Sequence, residues 1–242
     1  MPKILCVTAH PDDEVVAFGG TVRRYSRAGV ECRLICLTSG EAARNRGGAA
    51  SAADLQVLRR GELAASCRLL GFAEYEAWDF PDAHLPQVDF YSTAGRIVKI
   101  ICEWKPDLVM TLGPEGSATG HPDHGMAGLL TTAAFHWAAQ ERYFPESQLS
   151  LHQAARLYYS TTAFQPPEFP RVCLPNPDLA IDTSQFLELK IEAFAAHRTQ
   201  NPLLERVTPY LRRAGGGELF HLACGTQLPE GQLDDLFAGM MV

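Results

Sequence analysis

Apolar runs alternate with stretches of helical periodicity along the first half of the chain. Runs that lack a polar residue at every second position are typical of parallel strands buried on both faces of a sheet. Such runs occur at residues 4–8, 32–37 and 107–112. Between them, apolar residues recur at spacings of three and four, which predicts amphipathic helices. These helices are expected at residues 14–28, 54–70 and 89–104.

Residues that stop or start helices flank these segments. Gly29 follows the first predicted helix, Gly71 follows the second, and Pro106 comes just after the third. Asp54 is expected to cap the start of the second helix. The order of strands and helices predicts an α/β fold with a Rossmann-like, mostly parallel sheet flanked by helices. Functional sites in such sheets lie at the carboxyl ends of the strands.

The pattern is weaker after residue 145. The expected elements are a strand at 158–162, a helix at 185–197 and a short final strand at 218–223. A length of 242 residues with 46% hydrophobic content falls within the range of one large α/β domain. We therefore expect a single domain over residues 1–242, in which residues 1–140 form the core and residues 141–242 complete the fold and the substrate pocket.

Charge and composition narrow the choice of partners. The formal net charge is -7, so the chain has no general attraction for nucleic acids or anionic membranes. No apolar stretch approaches the ~20 residues that a membrane span requires. The seven cysteines include no C-x-x-C pair and are interpreted as reduced core residues. We expect a cytoplasmic protein with a small-molecule substrate. The sequence leaves open whether the protein forms a homo-oligomer.

Imidazole and carboxylate side chains follow two of the predicted strands. Residues 9–14 read Ala-His-Pro-Asp-Asp-Glu after the first strand, and residues 121–124 read His-Pro-Asp-His beyond the third. Because parallel strands end at the same edge of a sheet, both clusters are expected at that edge. Histidine and aspartate suit a borderline divalent cation such as zinc, and three protein ligands leave one position open for water. The pattern therefore predicts a catalytic metal site.

The spacing within each cluster leaves the ligand set partly open. His10 and Asp13 are three residues apart on a strand-to-helix turn and can reach one point, whereas Asp12 projects differently. His121 and His124 lie near each other if they open a helix, and only one of them needs to be a ligand. The alternative is that the carboxylates cap two helices. Capping does not require three nearby histidines, which favours the metal.

Four motifs occur in a fixed order along this part of the chain. They are Ala-His-Pro-Asp-Asp-Glu at 9–14, Thr-Ser-Gly-Glu at 38–41, Arg59 with Glu62, and His-Pro-Asp-His at 121–124. The series resembles the PIG-L/LmbE family of zinc-dependent N-deacetylases over roughly residues 3–140. A fainter similarity to a pattern on a late helix of the family consists of Lys190, His197 and Gln200.

The resemblance implies an LmbE-like fold with one Zn²⁺ per chain, bound by His10, Asp13 and His124; Fe²⁺ or Co²⁺ can share such ligands. It also implies that Asp12 is the general base and that His121 polarises the amide carbonyl. Elementary chemistry permits these roles, because zinc lowers the pKa of its water toward ~7 and an adjacent carboxylate can accept the proton.

Further roles are expected around this centre. Asp123 is expected to accept a hydrogen bond from His121, which would fix its tautomer and favour the imidazolium, or else to cap the helix. The resemblance implies that Arg59, Glu41 and His197 bind the substrate. For Arg59 the alternative is an ordinary surface ion pair, and for His197 it is a packed or exposed position on an amphipathic helix.

Two positions depart from the motifs or lie beside them. Some family members have a Tyr two residues before the first His of the second motif, where its hydroxyl assists the oxyanion. This chain has Thr119, so His121 and zinc are expected to carry more of that stabilisation. The family region that corresponds to the segment after Trp78 lies near the rim of the site, so a substrate contact by Asp79 or Asp82 is a further hypothesis.

The resemblance implies a hydrolase that uses metal-activated water to remove acetyl from an N-acetylglucosamine-containing sugar conjugate. One alternative is a metal-dependent hydrolase of another amide or of a carbamoyl substrate. A second is a non-catalytic, Rossmann-like nucleotide-binding or regulatory protein. Against the second, the turn at residues 9–14 carries carboxylates where dinucleotide-binding folds place G-x-G-x-x-G.

Overall fold

The computed structural model describes residues 1–144, 149–163, 165–231 and 233–240, and a seven-stranded sheet runs through this part of the chain. The strands are β1 (Lys3–Thr8), β2 (Glu31–Thr38), β3 (Glu74–Phe80), β4 (Leu108–Leu112), β5 (Arg156–Thr161), β6 (Leu179–Asp182) and β7 (Gly217–Gly225). They lie side by side in the order β3-β2-β1-β4-β5-β7-β6.

The order of the strands reverses between β1 and β4. From β3 to β5 all neighbours are parallel, whereas β7 is antiparallel to both β5 and β6. In β1, Ile4 lies opposite Cys32 of β2 on one side and opposite Leu108 of β4 on the other. A reversal of this kind opens a crevice at the carboxyl ends of the two central strands. The prediction of a mostly parallel sheet is confirmed.

Helices cover the sheet. They are α1 (Asp13–Arg27), α2 (Ala52–Leu70), α3 (Phe90–Trp104), α4 (Pro122–Trp137), α5 (Leu187–Ala195) and α6 (Leu204–Arg213). The predicted helices at 14–28, 54–70 and 89–104 are confirmed within two residues at either end. The predicted cap of α2 is wrong, because Ser51 is the N-cap and accepts from the amide of Asp54, whose carboxylate accepts in return from the amide of Ser51.

The core is continuous from the central strands to the flanking helices. Residues 4–7 of β1 are completely buried, as continuous apolar runs predict. All seven cysteines are free thiols, and five of them are buried. The short strand β6 and helix α6, which contains Pro209, had no clear sequence signal. In the described part of the chain, no helix combines the length and the apolar character needed to cross a bilayer.

The C-terminal part of the chain holds α1 in place through a buried ion pair. The two carboxylate oxygens of Glu218 on β7 accept from the amides of Gly20 and Thr21, both at 2.8 Å. Lys190 on α5 contacts the same carboxylate and donates to the carbonyl of Val16 at 3.1 Å. Because α1 begins immediately after the first histidine and aspartate cluster, this pair supports the helix that follows the candidate site.

Candidate metal centre and active site

The turn between β1 and α1 places His10, Asp12 and Asp13 at the carboxyl edge of the sheet. Asp12 has φ 110° and ψ -26°, a backbone region that residues other than glycine rarely adopt. Its amide donates to Glu14 Oε2 at 2.8 Å, and the amide of His10 donates to Asp13 Oδ2 at 2.8 Å. These bonds close the turn, so that the carboxylates of Asp12 and Asp13 point in different directions.

The second cluster opens helix α4. His121 is the N-cap of this helix, and its Nδ1 accepts from the amide of Asp123 at 3.2 Å. His124 lies in the first turn of α4, so the expected placement of the two histidines at a helix start is confirmed. The ring centroids of His121 and His124 are 5.1 Å apart, and those of His10 and His121 are 4.9 Å apart.

His10, Asp13 and His124 bring two ring nitrogens and the two oxygens of one carboxylate close together. Nδ1 of His10 lies 3.3 Å from Nε2 of His124, Asp13 Oδ1 lies 3.2 Å from that Nε2, and Asp13 Oδ2 lies 3.6 Å from Nδ1 of His10. Tetrahedral zinc ligands at about 2.0–2.2 Å stand about 3.3–3.6 Å apart. Each side chain is only 12% exposed. The three side chains therefore fit a divalent cation.

The electrostatics of the cluster suit a cation as well. Burial disfavours the charged form of Asp13, but His124 and His10 outweigh it and hold the pKa of this carboxyl well below its ordinary value. Burial likewise opposes a charged His10, yet hydrogen bonds to three carboxylates raise the pKa of this ring well above its ordinary value. A bound cation can replace the proton that the neighbouring carboxylates favour on His10.

The far side of the His10 ring faces two carboxylates. Nε2 lies 3.1 Å from Asp82 Oδ1 and 3.2 Å from Asp123 Oδ2. A histidine that donates its second N–H to a carboxylate keeps the other nitrogen free to bind metal. In His10 that other nitrogen is Nδ1, the atom that faces Asp13 and His124.

Asp123 is held differently from what the sequence indicated. Its carboxylate accepts from the amides of Ala83 at 2.8 Å and Leu85 at 3.1 Å and faces His10, and the side chain is completely buried. The expected hydrogen bond from His121 to this carboxylate is wrong, because only the backbone amide of Asp123 contacts the His121 ring. Two backbone amides of the loop after β3 donate to the carboxylate instead. These residues are 38–40 positions from Asp123 in the chain, so local spacing does not reveal the contact.

His121 is a neutral donor in this geometry. Burial, aided by the nearby His10, lowers the pKa of His121. Because Nδ1 accepts from the amide of Asp123, the proton of the neutral ring lies on Nε2. The expected imidazolium is therefore wrong, although the ring can still donate one hydrogen bond to a reacting carbonyl oxygen.

Arg59 is buried beside Asp12. The guanidinium is part of a residue that is 3% exposed, and its Nη2 lies 3.1 Å from Asp12 Oδ2. It also donates to the carbonyl of Gly40 at 2.9 Å and to the carbonyl of Pro11. A Cβ at Gly40 would lie 1.9 Å from the guanidinium, so the glycine of the Thr-Ser-Gly-Glu motif makes room for it. The alternative of a surface ion pair is wrong, because Arg59 is buried, whereas its contact with a sugar stays a prediction.

Burial raises the pKa of the Asp12 carboxyl to about 6, although the positive charge of Arg59 opposes the shift. The group is therefore mostly ionised near neutral pH and takes up a proton in mildly acidic solution. A carboxylate with such a pKa, beside but outside the three metal-facing donors, is suited to accept a proton from water.

His197 lies behind the site rather than in the substrate space. The residue is completely buried, and its Nε2 is 2.7 Å from Glu14 Oε1, which also accepts from Ser66 Oγ at 2.6 Å. The predicted substrate contact of His197 is therefore wrong. Through Glu14, which accepts from the amide of Asp12, the buried pair supports the turn that carries the candidate base.

The sequence offered Asp79 and Asp82 as alternative contacts at the rim of the site, and the structure distinguishes them. Asp82, directly after the edge strand β3, contacts His10, whereas Asp79 lies on the surface against Arg60. Glu41 Oε1 accepts from the amide of Asp82 at 2.9 Å, and Glu41 remains partly exposed at the rim. The signal that identifies Asp82 is its position at the carboxyl end of a strand.

Comparisons with known proteins agree with this arrangement. A family model described as PIG-L, GlcNAc-PI de-N-acetylase, matches residues 5–135. The chain is 32% identical to the 1D-myo-inositol 2-acetamido-2-deoxy-alpha-D-glucopyranoside deacetylase of Acidothermus cellulolyticus, over 99% of this chain and 96% of that protein. It is 30% identical to the diacetylchitobiose deacetylase of Thermococcus kodakarensis, over 87% of this chain and 75% of that protein.

The fold is similar to a solved structure of N,N'-diacetylchitobiose deacetylase from Pyrococcus horikoshii, with a TM-score of 0.77 and 24% identity, over 91% of this chain and 83% of that chain. The family model covers more than half of this chain, and the sequence relatives match along most of their own length. With the motif order and the converging donors, these matches establish that the chain belongs to the PIG-L family.

Proposed function

We propose that this protein is a zinc-dependent hydrolase that removes the acetyl group from an N-acetylglucosamine unit of a sugar conjugate. The observation that carries the proposal is the convergence of His10 Nδ1, Asp13 and His124 Nε2 at the spacing of zinc ligands, with a carboxylate of raised pKa next to them. Family membership supports the same reaction, since the named relatives are deacetylases.

In this proposal His10, Asp13 and His124 hold one cation. A bound divalent cation supplies Lewis-acid polarisation of the amide carbonyl and lowers the pKa of water toward about 7. The protein contributes the orientation of the ligands, because the carboxylates of Asp82 and Asp123 hold the His10 ring with Nδ1 free. Zinc is the proposed ion since its borderline character matches two imidazoles and one carboxylate.

Asp12 acts as the general base. Ionised near neutral pH, it takes a proton from the water that attacks the acetyl carbon. The same carboxyl then delivers that proton to the nitrogen as the C–N bond breaks, so that acetate and the free amine leave. Arg59 contributes by keeping Asp12 ionised and fixed in direction, since its guanidinium lies 3.1 Å from the carboxylate.

His121 stabilises the oxyanion. The proton on Nε2 of its neutral ring can be donated to the carbonyl oxygen as negative charge develops there. In this chain the position two residues earlier is Thr119, and its Oγ1 contacts His124 Nδ1 at 3.1 Å. Because the Thr119 hydroxyl is engaged with His124, His121 is the proposed hydrogen-bond donor to the oxyanion.

The substrate class follows from the names of the relatives. Both curated relatives act on compounds with a 2-acetamido-2-deoxyglucose unit, one linked to inositol and the other to a second sugar. We infer a small-molecule amino-sugar conjugate for this chain, with the partly exposed Glu41 as a candidate contact. The loops at residues 42–53 and 113–120 border the crevice and are expected to select the group attached to the sugar.

The experiment compares purified protein before chelation, after chelation and after zinc is restored. Diacetylchitobiose and an inositol glycoside of N-acetylglucosamine serve as substrates, and acetate release is measured. We expect activity with at least one of them, loss on chelation and recovery with zinc. Asp12→Asn is expected to retain zinc but to lose at least about 10²-fold in kcat, whereas the surface control Asp79→Asn keeps both.

Acetate release that is indifferent to chelation and to Asp12→Asn would refute the mechanism. A protein that binds zinc in a His10-dependent manner, yet cleaves a different amide or a carbamoyl group, would move the proposal to the alternative metal-dependent hydrolase. A protein without metal affinity that binds a nucleotide would instead support the non-catalytic alternative.

A further inference from the structure

The two histidine rings of the candidate metal centre have partners of different charge. Nε2 of His10 faces the carboxylates of Asp82 and Asp123 at 3.1 and 3.2 Å. Nδ1 of His124 instead lies 3.1 Å from a neutral hydroxyl, Oγ1 of Thr119. The second ring is thus oriented by a hydrogen-bond partner that carries no charge.

The direction of the Thr119 hydroxyl follows from its other neighbour. Oγ1 of Thr119 lies 3.4 Å from the carbonyl oxygen of Gly116, which can only accept a hydrogen bond. When the hydroxyl donates its proton to Gly116, an oxygen lone pair is free to accept from Nδ1–H of His124. This places the proton of the neutral His124 ring on Nδ1 and leaves the lone pair on Nε2.

Nε2 of His124 is the atom that faces the metal centre. It lies 3.3 Å from Nδ1 of His10 and 3.2 Å from Asp13 Oδ1. If the proton were on Nε2, the ring could not bind a cation at this point. The hydrogen bond to Thr119 therefore selects the tautomer that the centre requires.

The loop that carries Thr119 is closed tightly. Residues 117–119 form a short 3-10 turn, and Gly116 before it has φ 90°. A Cβ at Gly116 would lie 2.7 Å from the carbonyl carbon of Gly120 and 2.8 Å from the amide nitrogen of His121. The backbone therefore fixes the position of the short Thr119 side chain, whose hydroxyl contacts His124.

We propose that Thr119 is a positioning residue of the metal centre, which sets the tautomer and orientation of His124 through its hydroxyl. The inference rests on the proposed metal centre and adds a role for a residue that lies outside the three metal-facing side chains. The short threonine side chain brings its hydroxyl to 3.1 Å from Nδ1 of His124.

The test compares Thr119→Val, which keeps the shape but removes the hydroxyl, with Thr119→Ser, which keeps the hydroxyl. Zinc affinity is measured by competition with a chromophoric chelator. Loss of a partner that orients a metal-binding histidine typically costs about 10–100-fold in affinity. We expect a loss of that size for Thr119→Val and of less than about threefold for Thr119→Ser, with matching Tm values for the two metal-free variants.

A second readout separates positioning from a direct role in the reaction. At limiting zinc, Thr119→Val is expected to lose activity, and at saturating zinc its kcat is expected to return to near the wild-type value with KM unchanged. Unaltered zinc affinity in Thr119→Val would overturn the inference, as would a kcat that stays low at saturating zinc with normal affinity, because the hydroxyl would then act on the reacting atoms.

The failure of this inference can be told apart from failure of the proposed function. If wild type binds zinc, His124→Ala abolishes binding and Thr119→Val does not weaken it, only the role of Thr119 is refuted. If neither wild type nor His124→Ala binds zinc, the metal centre itself is refuted and the inference falls with it.

Discussion

Replacing Arg59 with Met removes the buried positive charge beside Asp12. Arg59 is 3% exposed and donates to Asp12 and to the carbonyls of Gly40 and Pro11. Breaking a buried ion pair by removing one partner typically costs about 3–5 kcal/mol, because the other charge remains buried. At about 2–4 °C per kcal/mol for a chain of this size, we expect the Tm of Arg59→Met to fall by about 6–20 °C near neutral pH.

The size of this loss is expected to depend on pH through Asp12. Burial raises the pKa of Asp12 to about 6 while Arg59 opposes the shift, so without Arg59 the pKa rises further. A carboxyl with a raised folded-state pKa favours the folded state most when protonated, and this contribution is lost as pH rises through that pKa. The Tm gap between wild type and Arg59→Met should therefore narrow between about pH 7.5 and about pH 5. It should not vanish, because two carbonyls also lose a donor.

The next residue along the chain provides the control. Arg60 pairs with Asp79, whose side chain is 76% exposed, and such surface pairs contribute at most about 1 kcal/mol. Arg60 also donates to Ser39 Oγ at 2.8 Å and to the carbonyl of Ala77 at 3.3 Å, and each such bond adds about 0.5–1.5 kcal/mol, so its loss is still expected to be smaller than that of the buried Arg59. The assay is thermal unfolding of metal-free protein, followed by circular dichroism at a series of pH values. An Arg59→Met variant as stable as Arg60→Met near neutral pH, or a Tm gap that stays constant on acidification, would refute the assignment of Arg59 as the countercharge of Asp12.

Three further predictions concern activity and the buried ion pair. In a pH profile, kcat/KM is expected to fall about tenfold per pH unit at or below pH 6, because Asp12, with a pKa of about 6, becomes protonated there. A bound cation can only lower that pKa. An acidic decline of kcat/KM with a midpoint well above pH 7 would contradict this prediction. His121→Gln should lose about 10²–10³-fold in kcat while zinc content, measured by elemental analysis, stays at the wild-type level; loss of zinc would make His121 a ligand instead. Lys190→Met should lower the free energy of unfolding by about 3–5 kcal/mol in denaturant titrations, and the double variant with Glu218→Gln should recover part of it; equal loss in both variants contradicts the charge argument.

Much of the core architecture is encoded locally. The continuous apolar runs of β1, β2 and β4 and the helical spacing of α1, α2 and α3 predict these elements to within two residues, because burial on two faces of a sheet and on one face of a helix imposes different periods. The short β6 and the proline-containing α6 carry no such period. They form because pairing with β7 and packing against α5 stabilise them.

The sequence by itself determined that both clusters of histidine and aspartate lie beyond strands that end at one edge of the sheet, and the family resemblance selected His10, Asp13 and His124 among them. Only the tertiary structure decided which buried polar side chains hold and orient the residues of the site. Arg59 turned out to neutralise Asp12, the Asp123 carboxylate to orient His10, and His197 to be buried against Glu14. Local periodicity fixes where a residue lies along its own element, but the partner of a buried polar side chain depends on which distant segment packs against it. Those partners lie 47, 113 and 183 positions away in the chain.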